Sequence, residues 1–308
     1  MLQRENLAND SSEYRKAKIA ILVAFLINGF SVGNFVSRIP DFKFELDISN
    51  GVLGGALFCA SAGVLAALRP TSKSAAKFGS GPVVKYSAFT LALAVPLVGL
   101  LFNLQWFLFS LFLYGALSSI HDLSINAHAA ALENLARKRV MSTFHAMWSI
   151  GGLTGGTFGG LLATVGVTIQ IHAFIVGLII FLVALTTRNW FLPATADKHP
   201  IEKREKHKVP RKFLILGLLG LCGALGEGAA SDWGGVLARD SYDASPFMSA
   251  LPFIFFSFTM VVGRLSGDFL AHKFGAVRLL TWSGLVAGIG LTGGILIGNI
   301  YGIILGWF

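Results

Sequence analysis

The chain has 308 residues, of which 54% are hydrophobic, only 13% are charged and 36 are glycines. A soluble domain usually carries about 25% charged residues, so this composition excludes an ordinary soluble globular protein and favours a protein embedded in a membrane. The formal net charge of +9 would suit a nucleic-acid-binding protein, but the placement of the charges along the chain argues against that class.

The hydrophobic residues form nine stretches long enough to cross a bilayer, followed by a tenth that begins at Ile300 and is cut off at Phe308. A helix needs about 20 mostly apolar residues to cross ~30 Å of hydrocarbon. Backbone amide groups cannot stay unpaired in lipid, so we expect each stretch to be an α-helix. The predicted spans, in chain order, are 18–38, 49–69, 83–103, 105–131, 139–165, 168–188, 213–237, 247–271, 279–298 and 300 onward.

Basic residues are distributed unequally between the two sides of these spans. If the N-terminus is cytoplasmic, all but three of the 25 lysines and arginines lie on the cytoplasmic side, and the exceptions are Arg38, Lys43 and Arg239. This bias is expected of membrane proteins, so the positive charge reflects topology and we expect no nucleic-acid partner. The polar segment 1–16 precedes a long first span without a small-residue cleavage site, which predicts a retained signal-anchor.

The one long connection, at 189–212, mixes lysine, glutamate and proline, which indicates a solvated cytoplasmic linker between two helix bundles. It predicts an N-terminal six-helix bundle at 1–188 and a partial C-terminal bundle of three to four helices at 213–308. The cytoplasmic ends of the second and eighth spans both read Lys-Phe-Gly, at 77–79 and 273–275. Such a repeat is typical of secondary transporters built from two related halves.

Several segments carry a resemblance to a known family. They are SRIP (37–40), DLSINAHA (122–129), FHAMWSIGGLTGG (144–156), GEGAASDW (226–233) and GRLSGDFLAHKFG (263–275). Together they resemble the major facilitator superfamily, and within it a bacterial group related to the fucose–proton symporters. The resemblance implies an all-α doubled six-helix bundle of twelve spans, acting as a monomer in the bacterial cytoplasmic (inner) membrane. A chain that stops inside a tenth span is then expected to be C-terminally truncated.

Two features depart from the pattern of this family. The loop after the second span has no acidic residue between Pro70 and Lys77, whereas Asp268 supplies one at the matching place in the second half. Gly156 stands where the antiporter signature has proline, which weakens an assignment to antiporters.

Asp122, near the middle of the fourth span, is the strongest functional candidate, because a charged group inside a membrane costs ~2.5–3.5 kcal/mol on insertion scales. Ser118 and Asn126 lie four residues before and after it, so all three share one helical face. Apolar surroundings disfavour a charged carboxylate, so such a group can alternate between neutral and charged forms as a cavity reorients. The resemblance implies proton coupling by Asp122 and binding of a solute hydroxyl by Asn126. The alternative is a carboxylate held in a structural hydrogen-bond network.

Polar residues of three other spans complete the predicted pathway for solute and protons. They are Asn28 and Asn34 in the first span, His145 and Ser149 in the fifth, and Glu227 in the seventh. Glu227 lies between two glycines, which permit a close helix approach beside the acid, and a purely structural role is an equal alternative. The fifth span also carries a small-residue pattern that predicts close helix packing, formed by Gly151, Gly152, Gly155, Gly156, Gly159 and Gly160.

The cytoplasmic end of the eighth span supplies a predicted gating motif. Its members are Gly263, Arg264, Asp268, Lys273 and Gly275. Four histidines lie within or beside spans, and they are His121, His128, His145 and His172. These four come from three spans and no HExxH pattern occurs, so we expect no metal and no other cofactor.

These patterns predict a secondary active transporter that moves a small polar solute, sugar-like or another metabolite, by alternating access with protons as the coupling ion. Its expected partners are the solute, protons and the lipid bilayer. No GxxxxGK[ST] motif occurs, which argues against an ATP-driven pump, and we expect no enzymatic activity. Two alternatives are a fragment of such a carrier that does not transport, and a membrane-embedded enzyme that uses Asp122 and the histidines.

Overall fold

The computed structural model describes residues 12–137, 139–197 and 210–308. Within these ranges the chain forms eleven α-helices and one short 3-10 turn at Ala194–Ala196. The helices are α1 Ser12–Ser37, α2 Ile39–Glu45, α3 Asn50–Phe78, α4 Ser80–Gly99, α5 Leu104–Ala136, α6 Met141–Thr164, α7 Ile169–Thr187, α8 Arg211–Tyr242, α9 Pro246–Phe274, α10 Ala276–Leu296 and α11 Ile300–Trp307. The predicted all-helical fold is confirmed.

Each of the nine predicted full-length spans corresponds to one long helix, and the tenth corresponds to α11. Eight helices in the described part of the chain are long and apolar enough to cross a membrane. Among the predicted full spans the exception is α6, because glycine, serine and threonine dilute its apolar residues. The sequence did not predict α2, a seven-residue helix that begins directly after α1 with Pro40 in its first turn, a position that proline favours.

The first seven helices share an apolar interior with α1 at its centre. In the apolar 18-residue core of α1, 61% of the residues are buried, which is the largest share among the described candidate spans. Phe25 of α1 stacks on Phe144 of α6 with ring centroids 5.8 Å apart, and Phe107 of α5 stacks on Phe42 of α2 at 5.2 Å. Buried aromatic pairs of this kind hold the helices in fixed relative positions.

Helix α6 uses its glycines on two different faces. Gly151 and Gly155 lie against the backbone of α1, so close that a Cβ atom on Gly151 would lie 2.8 Å from the Phe30 nitrogen. Gly156 and Gly160 face α9 instead, where a Cβ would lie 2.8 Å from the Phe253 ring and 2.9 Å from the Ala250 methyl group. The predicted close packing is therefore confirmed, and α6 joins the first seven helices to the last four.

The last four helices bury less of their surface than the first seven. In the apolar 18-residue core of α8, and in that of α10, only 6% of the residues are buried. Residues 213–227 of α8 are all exposed. Helix α11 packs on α8 through Trp307, whose indole nitrogen donates to the Ala230 carbonyl oxygen at 2.7 Å. The two groups meet mainly along α6 and α9, with further contacts of α8 to α1 and α2.

The repeated Lys-Phe-Gly segments end α3 and α9 with the same backbone conformation. Gly79 has φ 81° and ψ 151°, and Gly275 has φ 83° and ψ 140°, a region that residues with a Cβ atom rarely adopt. In each case the glycine N–H donates to the carbonyl oxygen four residues earlier, and the next helix begins at once. The internal repeat inferred from the sequence is thus a repeat of structure.

The start of the predicted linker packs against the first helices. The Leu192 N–H donates to His128 Nε2 at 3.1 Å, and Leu192 is 5% exposed. The Asp197 carboxylate accepts from the Ser80 N–H at 3.0 Å, at the positive end of the α4 dipole. Residues 1–11 and 198–209, which hold the predicted polar N-terminus and the centre of the predicted linker, lie outside the described residues.

Candidate functional site

A cluster of polar side chains joins the two helix groups between α6 and α9, with Arg264 at its centre. Arg264 Nη1 donates to Ser149 Oγ at 2.6 Å and to the His145 carbonyl oxygen at 3.1 Å. Its guanidinium carbon lies 5.1 Å from the centre of the Trp148 ring, within the range of a cation–π contact. The side chain of Arg264 therefore extends from α9 and contacts α6, unlike the other residues of the predicted gating motif.

Asn28 of α1 fixes the indole ring on which Arg264 lies. Trp148 Nε1 donates to Asn28 Oδ1 at 2.8 Å. The Asn28 amide nitrogen in turn lies 3.5 Å from the Ser118 carbonyl oxygen on α5. Three helices of the first group and one of the second thus meet in a continuous chain of polar contacts.

Asp122 and its predicted neighbours lie on one face of α5, as the four-residue spacing requires. Asn126 Nδ2 donates to Asp122 Oδ1 at 3.3 Å and to the Asp122 carbonyl oxygen at 2.9 Å. Ser118, Asp122 and Asn126 are all half-buried. Asp122 forms no ion pair within the described ranges, so its carboxylate is free of the locked charge partner that would argue against proton exchange.

Glu227 of α8 completes the cluster from the second helix group. Its Oε1 lies 4.0 Å from Arg264 Nη2, at the limit of an ion pair, and its side chain is 47% exposed. The pair is loose, because 4.0 Å exceeds the 2.7–3.2 Å of a hydrogen bond. Asp232 lies further along α8, where Ser231 Oγ donates to it at 3.3 Å, and its neighbour Trp233 packs beside Gly54 of α3.

Two predicted site residues take other positions. Asn34 lies inside the first helix group, where its Oδ1 is 2.8 Å from His172 Nε2 of α7 and its amide donates to the Phe30 carbonyl oxygen. The His145 ring packs edge-on against Phe25 with centroids 5.4 Å apart, and the hydrogen bond of His145 with Arg264 uses its backbone carbonyl. Among the described residues, neither side chain forms a hydrogen bond with Arg264, Trp148 or Asn28.

The other histidines pack within the first helix group. His121 Nδ1 is 3.0 Å from Ser87 Oγ, and His128 Nδ1 is 2.7 Å from Ser80 Oγ, so both rings pair with hydroxyl groups of α4. In the described part of the chain, no three residues of the types His, Cys, Asp and Glu come together as metal ligands.

A second set of charged contacts joins the helix groups at the end that the charge distribution assigns to the outside. Asp41 of α2 pairs with Arg38 at 2.7 Å and with Arg239 of α8. Lys43 pairs with Asp240, whose carboxylate also accepts from Asn50 Nδ2 at 3.2 Å. The three basic residues that the topology leaves outside are thus the three that pair here. We call this set, Arg38, Asp41, Lys43, Arg239 and Asp240, the outer ion pairs.

The gating-motif residues Asp268, Lys273 and Gly275 lie toward the opposite end of α9. Ser142 Oγ, at the start of α6, donates to Asp268 Oδ2 at 2.8 Å, which is a contact between the two helix groups. Lys273 Nζ lies 5.3 Å from the Phe274 ring. Gly275 ends α9, and Gly263 is exposed on its surface.

Comparison with known proteins places this architecture in a family. The sequence profile of the Major Facilitator Superfamily matches residues 21–308. The chain belongs to the Major Facilitator Superfamily. The superfamily assignment made from the sequence segments is confirmed, and the chain is an integral membrane protein of a transporter family.

Several curated proteins are similar in sequence to this member of the superfamily. The chain is 29% identical to the uncharacterized transporter y4wD of Sinorhizobium fredii, over 88% of this chain and 72% of that protein. It is 27% identical to an uncharacterized MFS-type transporter of Yersinia pestis, over 94% of this chain and 75% of that protein. It is also 26% identical to the membrane protein MosC of Rhizobium meliloti, over 89% of this chain and 66% of that protein.

A solved structure of the superfamily fold matches as well. The crystal structure of the nucleoside transporter NupG, in its D323A mutant form, aligns with a TM-score of 0.65 at 10% sequence identity, over 94% of this chain and 79% of that chain. At this identity the likeness establishes the fold alone.

Sequence reasoning did not assign roles to several residues that prove central to these contacts. Trp148 lies in the family-like segment 144–156, but its contact with Arg264 depends on the packing of α1 against α6. Of the outer ion pairs, the sequence offered only Arg38, either as the partner of an outer carboxylate or as a residue at the membrane interface. Lys43 and Arg239 share its departure from the positive-inside bias, and this is the signal that could have found their pairs.

Proposed function

We propose that this chain is a secondary active transporter that moves a small polar solute across the bacterial cytoplasmic membrane by alternating access, with protons as the coupling ion. The observation that carries the proposal is the polar chain of contacts from Asn28 through Trp148 to Arg264 and Glu227, because it bridges both helix groups, and such carriers hold their solutes where their two halves meet. The transporter names of its relatives agree with it.

Alternating access needs contacts at both ends of the molecule that can form and break. The outer ion pairs supply them at one end, and the Ser142–Asp268 hydrogen bond supplies one at the other. Between the ends, Gly156 and Gly160 of α6 meet α9 through small side chains and ring edges. Because few large side chains interdigitate at such an interface, the two helix groups can rotate relative to each other there.

Asp122 is the proposed carrier of the proton. It is half-buried, shares its face with Ser118 and Asn126, and has no cationic partner among the described residues. A carboxylate in this setting gains a proton when the surrounding water is withdrawn and loses it when water returns. One proton moving through 100 mV supplies about 2.3 kcal/mol, which supports roughly fifty-fold accumulation of a solute.

The experiment is proton uptake into liposomes that contain the purified protein and a trapped pH dye. Sugars, polyols and organic acids are added in turn, and a transported solute should acidify the lumen. Asp122→Asn should abolish the solute-dependent acidification but keep exchange of labelled for unlabelled solute, because exchange needs no net proton movement. Asp47→Asn, in an exposed turn, serves as the charge-matched control.

Two results would decide against this proposal. If no compound acidifies the lumen and none exchanges, transport itself is refuted. If Asp122→Asn still accumulates solute against its gradient, transport stands but the assignment of Asp122 to coupling is wrong.

A further inference from the structure

The Arg264 guanidinium has a hydrogen-bonding edge that no described residue occupies. A guanidinium group has five N–H donors. The two hydrogens of Nη1 are directed to Ser149 Oγ and the His145 carbonyl oxygen. Nε and Nη2 make no hydrogen bond to any described residue, and the nearest carboxylate oxygen to Nη2 is 4.0 Å away, on Glu227.

The Arg264 side chain is also only partly buried. It is 25% exposed, and its nitrogens are not among the fully buried side-chain atoms without a partner in the described ranges, which belong to Arg38 and Arg239. A solute can therefore reach part of this side chain.

The orientation of the guanidinium is fixed before any solute arrives. Ser149 and the His145 carbonyl hold Nη1, the Trp148 ring supports one face, and Asn28 holds the ring. A donor fixed in this way loses little side-chain freedom when it binds a partner, which favours tight and directional binding. Nε and Nη2 present two parallel N–H groups, the geometry that matches the two oxygens of a carboxylate.

The charge of the surroundings limits the anion to a single negative charge. Arg264 is the one cation in the cluster formed by the described residues Asn28, Trp148, Ser149 and Glu227. Glu227 already lies beside this guanidinium, so a bound anion has to displace it. Once Glu227 has moved away, Arg264 alone neutralises a monocarboxylate, whereas a dianion such as phosphate would leave one negative charge uncompensated.

From this geometry we infer that the solute carries a carboxylate, and that Arg264 binds it through Nε and Nη2. Glu227 occupies the same side of the guanidinium in the absence of solute and is displaced when the solute binds. The inference rests on the proposed transport function, whose solute it assigns to small organic monocarboxylates. It also gives Arg264 a role in specificity that its place in the sequence motif did not indicate.

A binding experiment that needs no transport tests this inference. The purified protein in lipid nanodiscs is heated with a panel of monocarboxylates of three to seven carbons, including lactate, gluconate and glucuronate, each beside its uncharged amide. Inorganic phosphate is the dianion control. At least one carboxylate should raise the melting temperature, while its amide and phosphate should not.

Variants then assign the effect to Arg264. Arg264→Gln should raise the apparent Kd of the stabilising carboxylate at least tenfold, and Arg264→Lys should restore it only in part because lysine lacks the two parallel donors. Arg278→Gln removes the same charge from an exposed position on α10 and should leave the Kd unchanged. Glu227→Gln should lower the Kd, because the competing carboxylate is gone.

Three outcomes would overturn the inference: amides that stabilise as well as acids, stabilisation that survives Arg264→Gln, or a panel in which no carboxylate stabilises. Its failure is distinct from that of the proposed function. If carboxylates bind but no solute is taken up, only the transport function is refuted. If neutral solutes are taken up equally well by the unchanged protein and by Arg264→Gln, only the carboxylate assignment is refuted.

Discussion

At the scale of single residues, Trp148 makes two different contacts with two parts of its side chain. Its ring nitrogen donates to Asn28 within the first helix group, and its ring face supports Arg264 of the second. An aromatic ring with a polar tip suits such a junction because its apolar body and its donor can meet different neighbours. The position of Arg264 therefore depends on a residue that carries no charge itself.

Two substitutions separate these contributions. Trp148→Phe removes the hydrogen bond but keeps a ring for Arg264, and we expect the free energy of unfolding to fall by about 1 kcal/mol. Trp148→Leu removes the ring as well and should cost about 0.5–1 kcal/mol more, the size of a cation–π contact. Thermal unfolding in detergent measures both variants, and equal losses would show that Arg264 gains nothing from the ring.

Asn126 provides a second test at this scale. Its amide nitrogen is 3.3 Å from Asp122 Oδ1, a hydrogen bond that favours the charged carboxylate. Asn126→Leu removes this donor, so Asp122 should hold its proton to higher pH and the pH at half-maximal proton-coupled uptake should rise. Asn189→Leu, which loses only an exposed contact with Lys85, is the matched control and should leave that midpoint in place. An unchanged midpoint in Asn126→Leu would place Asp122 outside the coupling step.

At the scale of helices, α6 is the element that both holds the first group together and meets the second. Its alternating glycines allow this, since residues one apart in sequence lie about 100° apart around a helix. Gly151 faces the α1 backbone, whereas Gly152 faces α9, where its nearest neighbour is Ser257 Oγ at 3.6 Å from a Cβ placed there.

The same substitution at these adjacent glycines should have opposite effects. Gly151→Ala would force a methyl group against the Leu26 carbonyl oxygen, and we expect a loss of about 1–3 kcal/mol in the free energy of unfolding. Gly152→Ala finds ordinary contact distances and should be neutral or stabilise by up to about 1 kcal/mol, because alanine favours a helix. Melting temperatures of the two purified variants compare them directly. A milder effect at Gly151 than at Gly152 would contradict the packing of α1 on α6.

At the scale of the whole molecule, the outer ion pairs close one end of the boundary between the helix groups. Asp41 is held by Arg38, which is 4% exposed and also donates to the Val167 carbonyl oxygen at 3.0 Å. The carboxylate is thus already fixed in place when Arg239 meets it. Beneath these pairs Val236 of α8, only 2% exposed, packs with Ile39 and Leu53 of the first group.

Breaking these pairs should open that end. In a chain whose cysteines are replaced by alanine, Val236→Cys reports opening through its reaction with a membrane-impermeant maleimide. Asp41→Asn should raise the labelling rate about tenfold, since losing about 1.4 kcal/mol from the closed state changes its population tenfold. Asp243→Asn, an exposed residue at the end of α8, should not.

The ion pair of Lys43 with Asp240 can be tested by exchanging the two charges. Lys43→Asp and Asp240→Lys should each increase labelling, because each places like charges in contact, and the double variant should restore slow labelling. Labelling that stays slow in all three variants would mean that apolar packing alone closes this end.

The amino-acid sequence by itself determined the fold class, the positions of the nine long helices and the shared face of Ser118, Asp122 and Asn126. It could do so because the length of a membrane-crossing segment and the periodicity of a helix are local properties of the chain. The repeated Lys-Phe-Gly segments likewise predicted a structural repeat, since the glycine conformation is a local requirement.

Only the tertiary structure decided which polar residues meet. Asn28 and Asn34 are six residues apart on one helix, yet one contacts Trp148 and the other contacts His172. Arg264 belongs by sequence to a cytoplasmic motif, but a long flexible side chain reaches whatever acceptors the neighbouring helix presents. Contacts between helices more than a hundred residues apart depend on how their faces are turned toward each other, and no local pattern in the chain specifies that rotation.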